Sequence, residues 1–267
     1  MISARVWQAA CVGTVRAEVD GSVGTLIIDN PERRNAMDRA MYEAVPVAVA
    51  ELRDADVRVV VLRGEGDEAF GAGSDISEFP EHRLGDAAAS YDHVEHCAWH
   101  AVADLDRPVI AAIHGPCMGG GIAMALHADI RVAADDGQFA VPPARLGIAY
   151  PPEAVRRLVA LVGPGRAKLL LTTARVLEAA AALDMGLVDE VVAKGELDDH
   201  VARMATSVAR LAPLSVRAAK LTVDALTTDR VPEADAADAV AACYASSDFR
   251  EGIDAFLQKR RPIFEGR

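Results

Sequence analysis

Two glycine-rich segments carry the chemistry that can be read directly from this chain. The first is Phe70-Gly-Ala-Gly-Ser-Asp-Ile76 and the second is Gly115-Pro-Cys-Met-Gly-Gly-Gly121. Each follows a short apolar run, at 57–62 and 109–113, whose β-branched residues and flanking Pro or Gly predict a buried strand. Residues 122–126 then place apolar side chains at helical spacing. A strand, a glycine turn and a helix start leave backbone N–H groups without internal partners. Glycine also removes the Cβ atoms that would keep a ligand away from the main chain. The expected ligand is an anion, or an oxygen that becomes one, and two such turns supply the pair of donors an oxyanion hole needs.

Spacing excludes several other chemistries. Gly115, Gly119, Gly120 and Gly121 do not form G-x-G-x-x-G, there is no G-x-x-x-x-G-K-[ST], and Ser74 is not in a G-x-S-x-G elbow. His93, His96 and His100 fall on one face of a predicted helix. A metal would need a further ligand in register, so a packed or solvated helix face is expected and no metal. Cys11, Cys97, Cys117 and Cys243 are scattered without a C-x-x-C pair, as in reduced thiols of a cytoplasmic protein.

Around these segments the chain reads as an α/β portion over 1–195 and an all-helical portion over 196–267. Two strands surround the turn at Asp20-Gly21. A helix follows over 35–53, which Pro46 should kink or split. Residues 77–90 read as a polar, mobile loop and 91–105 as a helix. Short strands are expected at 130–133, 138–141 and 187–192. A helix over 153–162 precedes another begun at Pro164. Four amphipathic helices fit 196–211, 213–227, 232–246 and 248–260.

With 267 residues, 51% hydrophobic, the chain can bury a large core. A net charge of −12 argues against nucleic acid or an anionic membrane as a partner, while an anionic small molecule needs only a local basic cluster. Met1 to Trp7 lacks the pattern of a signal peptide.

Both glycine segments, with Arg107-Pro-Val-Ile-Ala-Ala112, Ala128-Asp-Ile130, Gln138-Phe139, Leu146-Gly147, residues 181–188 and Phe256-Leu-Gln-Lys-Arg-Arg-Pro262, resemble the crotonase (enoyl-CoA hydratase/isomerase) superfamily. The resemblance covers essentially the whole chain. It implies a ββα spiral with a C-terminal helical trimerisation region, and an acyl-CoA substrate with no cofactor beyond its CoA moiety. It also implies self-association as a trimer or dimer of trimers. By motif, the backbone N–H groups of Ser74 and Gly120 would hold the thioester oxygen as an enolate. Ala72, Asp75 and Ile76 would run along the CoA, Phe256 and Lys259 would reach a neighbouring subunit's CoA, and Arg33 with Arg34 could meet phosphates.

The sequence departs from that pattern where hydratases carry acid and base. Two residues past the glycine triplet stands Ala123, not Glu; after Gln138-Phe-Ala-Val-Pro142 stands Pro143, not Glu; and Pro151 takes a position where other branches carry Asp. Hydration needs a base for water and an acid for the α-carbon, which Ala and Pro cannot supply. Tyr150 sits where the methylmalonyl-CoA decarboxylase branch has a catalytic Tyr, His96 matches a functional His of a dehalogenase branch, and Glu153 lies just beyond. Decarboxylation or other non-hydratase chemistry through an enolate is therefore favoured. A hydratase or isomerase with displaced acid and base, a silent acyl-CoA-binding protein and a protein–protein scaffold remain the alternatives.

Overall fold

The computed structural model describes residues 13–267, so the readings of Met1–Trp7 and Cys11 lie outside the described residues. Nine strands and ten helices follow one another in it: β1 (Thr14–Asp20), β2 (Val23–Asp29), α1 (Arg39–Asp54), β3 (Val59–Gly64), α2 (Phe79–His82), α3 (Ala87–Ala103), β4 (Val109–Ile113), β5 (Pro116–Met118), α4 (Gly120–Leu126), β6 (Ile130–Ala134), β7 (Gln138–Ala140), α5 (Pro152–Thr173), β8 (Leu177–Glu178), α6 (Ala179–Met185), β9 (Glu190–Val192), α7 (Leu197–Ala209), α8 (Pro213–Thr227), α9 (Glu233–Ala245) and α10 (Ser247–Leu257). The main sheet has six strands in the order β1-β2-β3-β4-β6-β9, parallel apart from the β1–β2 hairpin. A second sheet joins β5, β7 and β8.

The continuous apolar runs are explained by burial on both faces, since strand side chains alternate sides. Val60 and Leu62 of β3 join the core that α1 and α3 cover. Val59 and Val61 point the other way, where Leu197, Val201 and Ala205 of α7 close the opposite face. Helix α7 is thus packed on the sheet, whereas α8 to α10 carry exposed apolar side chains.

Helix α1 is not split at Pro46. It runs unbroken through Pro46, capped by the Asp38 side chain, which accepts from Met41 N at 2.8 Å. A proline inside a helix costs about 3 kcal/mol. Against that, α1 buries Met41, Tyr42, Val45, Ala48, Val49 and Leu52, and each large apolar side chain so buried contributes roughly 1.5–3 kcal/mol. Packing therefore wins. Helix α5 does break, at Gly163 (φ 76°), and Pro164 opens its second part.

A second correction concerns 77–90. This segment is not one loop: Ile76–Glu78 forms a 3-10 turn, α2 follows directly, and α3 already begins at Ala87. Arg83 anchors it by pairing with Asp92 and Glu95 of α3 at 3.0 and 2.9 Å while lying over the Phe79 and Tyr91 rings. No described helix is long and apolar enough to cross a membrane.

Candidate functional site

The two glycine turns meet at the carboxyl ends of β3 and β4. Gly71 bridges Cys117, and Met118 N donates to Gly71 O at 2.9 Å, which lays the first turn against β5. Glycine is required at this contact. A Cβ on Gly121 would fall 2.4 Å from Gly71 O, and one on Gly120 would fall 2.3 Å from Tyr42 Oη and 3.2 Å from Ser74 N. The Ser74 and Gly120 amides are consequently neighbours. Met37 N donates to Gly73 O and Asp75 N to Met37 O, which fixes the backbone on both sides of Ser74. Among the described residues, neither the Ser74 nor the Gly120 N–H has a backbone acceptor.

A cleft opens over these amides, bordered by Ala72, Ile76, Phe79, Trp99, Leu146 and Tyr150 among others. Tyr150 Oη donates to Gly119 O at 2.9 Å. That carbonyl belongs to the same planar, trans peptide unit as the Gly120 N–H and points the opposite way. Tyr150 therefore fixes the direction of the Gly120 donor. Burial pushes its phenol well above the usual range. Pro143 and Pro151 border the cleft, while Ala123 is wholly buried in the core behind it.

The other residues singled out by sequence are placed as follows. Arg33 pairs with Asp75, whose carboxylate also accepts from Ser77 N and Oγ at 3.0 and 2.7 Å. Ala72 and Ile76 border the cleft, with Ile76 half exposed. Phe256 and Lys259 do not border it; Phe256 lines an apolar groove of the helical tail. His96 and Glu153 are also outside it. The His96 ring packs at 5.2 Å against Trp99. The Glu153 carboxylate is turned toward His127 and His100, contacts that hold it down at about 2. The His127 separation, 4.0 Å, exceeds hydrogen-bond length, so the 3.4 Å approach of His100 is the firmer contact. His93 is 3.6 Å from Cys97 Sγ. Among the described residues, no group of three His, Cys, Asp or Glu side chains is arranged to hold a metal. Cys97, Cys117 and Cys243 are free, and burial raises the Cys117 thiol.

Sequence reading missed a polar cluster beside these amides. Glu95, 2% exposed, accepts the Ser74 hydroxyl at 2.7 Å and both Arg83 terminal nitrogens at 3.0 and 2.9 Å. Tyr42 Oη lies 3.0 Å from Ser74 Oγ. Its signal was present: Glu95 occupies a core position of α3, in helical register with buried Tyr91, Ala98, Trp99 and Val102. A carboxylate on an apolar face demands a partner.

Known proteins match this chain over nearly its whole length. The enoyl-CoA hydratase/isomerase family model matches residues 18–267. A crotonyl-CoA hydratase of Syntrophomonas wolfei is 34% identical over 251 residues, 92% of this chain and 96% of that protein. A carnitinyl-CoA dehydratase of Citrobacter koseri is 33% identical, across 92% of this chain and 96% of its own. The solved structure of an enoyl-CoA hydratase/carnithine racemase from Magnetospirillum magneticum superposes with a TM-score of 0.91 at 32% identity, covering 95% of this chain and 96% of that one. A family model that spans residues 18–267 and relatives more than 30% identical across nearly the whole chain make this chain a member of the enoyl-CoA hydratase/isomerase family.

Proposed function

We propose that the cleft binds an acyl-CoA thioester, with the Ser74 and Gly120 N–H groups receiving its carbonyl oxygen and stabilising the enolate that forms. The observation that carries this reading is the pair of adjacent, unpartnered amides held by the two glycine turns. One donor of this kind is worth about 2.7–4 kcal/mol to a transition state. Arg33, Asp75, Ala72 and Ile76 would follow the CoA, and Phe256 and Lys259 would complete the site from a second copy in a homotrimer or dimer of trimers.

The reaction we propose is not hydration by the usual pair of glutamates, because Ala123, Pro143 and Pro151 fill the carboxylate positions. Loss of CO₂ from an acyl-CoA that carries a carboxylate on its α-carbon leaves the C–C electron pair as an enolate without a base, which suits the proposed hole. Incubation with crotonyl-CoA and, separately, with methylmalonyl-CoA, followed by mass spectrometry, tests this. CO₂ loss without water addition is expected; efficient hydration would overturn the reading. With the Gly119 carbonyl left to one partner fewer, Tyr150→Phe should slow turnover about 5-fold, the worth of roughly 1 kcal/mol. An unchanged rate would remove Tyr150 from the mechanism.

A further inference from the structure

We propose that the Ser74 hydroxyl, backed by Glu95, is the proton carrier of this site and replaces the carboxylates that the chain lacks. The proposal rests on the enolate reading above and adds the group that moves its proton.

Among the described residues bordering the cleft, Glu95 is the sole carboxylate. Both its oxygens are engaged: Oε1 accepts from Ser74 Oγ and Arg83 Nη1, and Oε2 from Arg83 Nη2. Because Ser74 gives its proton to Glu95, the Tyr42 hydroxyl is the donor in the 3.0 Å contact with Ser74. The chain Tyr42–Ser74–Glu95 therefore has one direction and ends on the carboxylate. It also lies at the hole itself. A Cβ on Gly120 would be 3.0 Å from Ser74 Oγ and 3.2 Å from Ser74 N, so hydroxyl and amide flank the same glycine.

The step balances without a co-reactant. The α-carbon C–H bond breaks, and its electron pair forms the enolate double bond as negative charge moves to the thioester oxygen. Ser74 Oγ takes that proton as its own passes to Glu95 Oε1. The reverse step returns a proton to carbon. Glu95 alternates between carboxylate and carboxylic acid, and is a positioning residue acting through Ser74.

The surroundings suit a group that must change charge. Burial raises the Glu95 carboxyl, opposed by Arg83 and by the Ser74 hydrogen bond, with Asp92 raising it further. Tyr42 from α1 reaches it through Ser74, Tyr91 from α3 donates to Glu78 at 2.9 Å and Tyr150 to Gly119 O, and burial raises all three phenols. Arg83 keeps the ionised form in place, and Asp92, half exposed, shares that arginine with solvent.

The test follows exchange of the α-protons of butyryl-CoA in deuterium oxide across pH, with binding measured separately by calorimetry on the same full-length protein. The wild type should exchange, with a rate that falls on the acid side as Glu95 is protonated. Glu95→Gln should lower the rate about 100-fold or more, the scale of general acid–base catalysis. It should also abolish the acid limb while binding changes less than about 3-fold, a scale set by the loss of no direct CoA contact. Ser74→Ala keeps the backbone amide and should lose exchange to a similar degree. Wild-type rate and acid limb in Ser74→Ala would overturn the proposal, and this variant decides the matter if Glu95→Gln fails to fold. Butyryl-CoA that binds but does not exchange would also overturn it while leaving the binding reading intact. Failure to bind at all would overturn both.

Discussion

At the residue scale, the site depends on an absence of side chain. Gly120 has no room for a Cβ, because Tyr42 is fully buried and its hydroxyl would sit 2.3 Å away. Gly120→Ala should therefore destabilise by about 1–3 kcal/mol, as overpacking does. It should also displace the amide and lower turnover about 100-fold or more. Tyr42→Phe removes the offending oxygen, so the double variant should recover part of the lost stability in urea titrations. Strict additivity would show that Tyr42 is not what Gly120 must avoid. Glu153 gives a second residue-scale expectation. Its carboxyl is held at about 2 against an ordinary 4.5 by the imidazoles of His127 and His100 together. A depressed folded-state value means stabilisation that is present above 4.5 and lost as pH falls toward 2. The melting temperature of the wild type should exceed that of Glu153→Gln near pH 6, and the gap should close between those two limits. A gap independent of pH would show that the imidazole contacts do not act through the carboxylate charge.

At the element scale, what the sequence reveals depends on how local the cause is. The strands β3 and β4 were legible because their apolar runs are long enough to be buried on both faces. The glycine turns were legible because their conformation is a property of the residue itself. Strand β5 was not: three residues beginning with Pro116 carry no periodicity, and only pairing with β7 makes them a strand. Arg83 and Glu95 were missed for a similar reason. They are 12 residues apart, Arg83 in the connection after α2 and Glu95 within α3, and only tertiary packing brings them into a direct ion pair. The break in α5 follows from local chemistry and can be tested alone. Gly163 adopts φ 76° and ψ 163°, a region closed to other residues, yet an added Cβ would meet nothing within 4 Å. Gly163→Ala should thus cost about 1–3 kcal/mol from backbone strain and not from a clash. Chemical denaturation measures it, and a loss below about 0.5 kcal/mol, the ordinary scatter of surface substitutions, would show that the α5 break relaxes freely.

At the scale of the whole molecule, the sheet-bearing part is covered on both faces while the tail is not. Helix α7 seals one face of the sheet with Leu197, Val201 and Ala205, so the core does not need the last three helices to close it. Those helices nevertheless present Leu226, Tyr244, Phe256 and Leu257, each more than 70% exposed. Isolated exposed apolar residues are ordinary, but Tyr244, Phe249, Ile253, Phe256 and Leu257 line one continuous groove. A chain carrying a net charge of −12 repels its own copies at long range. In the proposed assembly, association would be driven by this apolar surface and should strengthen, not weaken, as salt screens the repulsion. On the proposed assembly, sedimentation should find a trimer or a multiple of it. Leu257→Asp should shift the protein to monomer with an unchanged circular dichroism spectrum, because Leu257 contributes almost nothing to the core of its own chain. A Leu257→Asp variant that sediments like the wild type at the same salt would exclude this groove as the contact. Monomer in both proteins would leave the acyl-CoA cleft complete within one chain, and Phe256 and Lys259 would then have no ligand to reach.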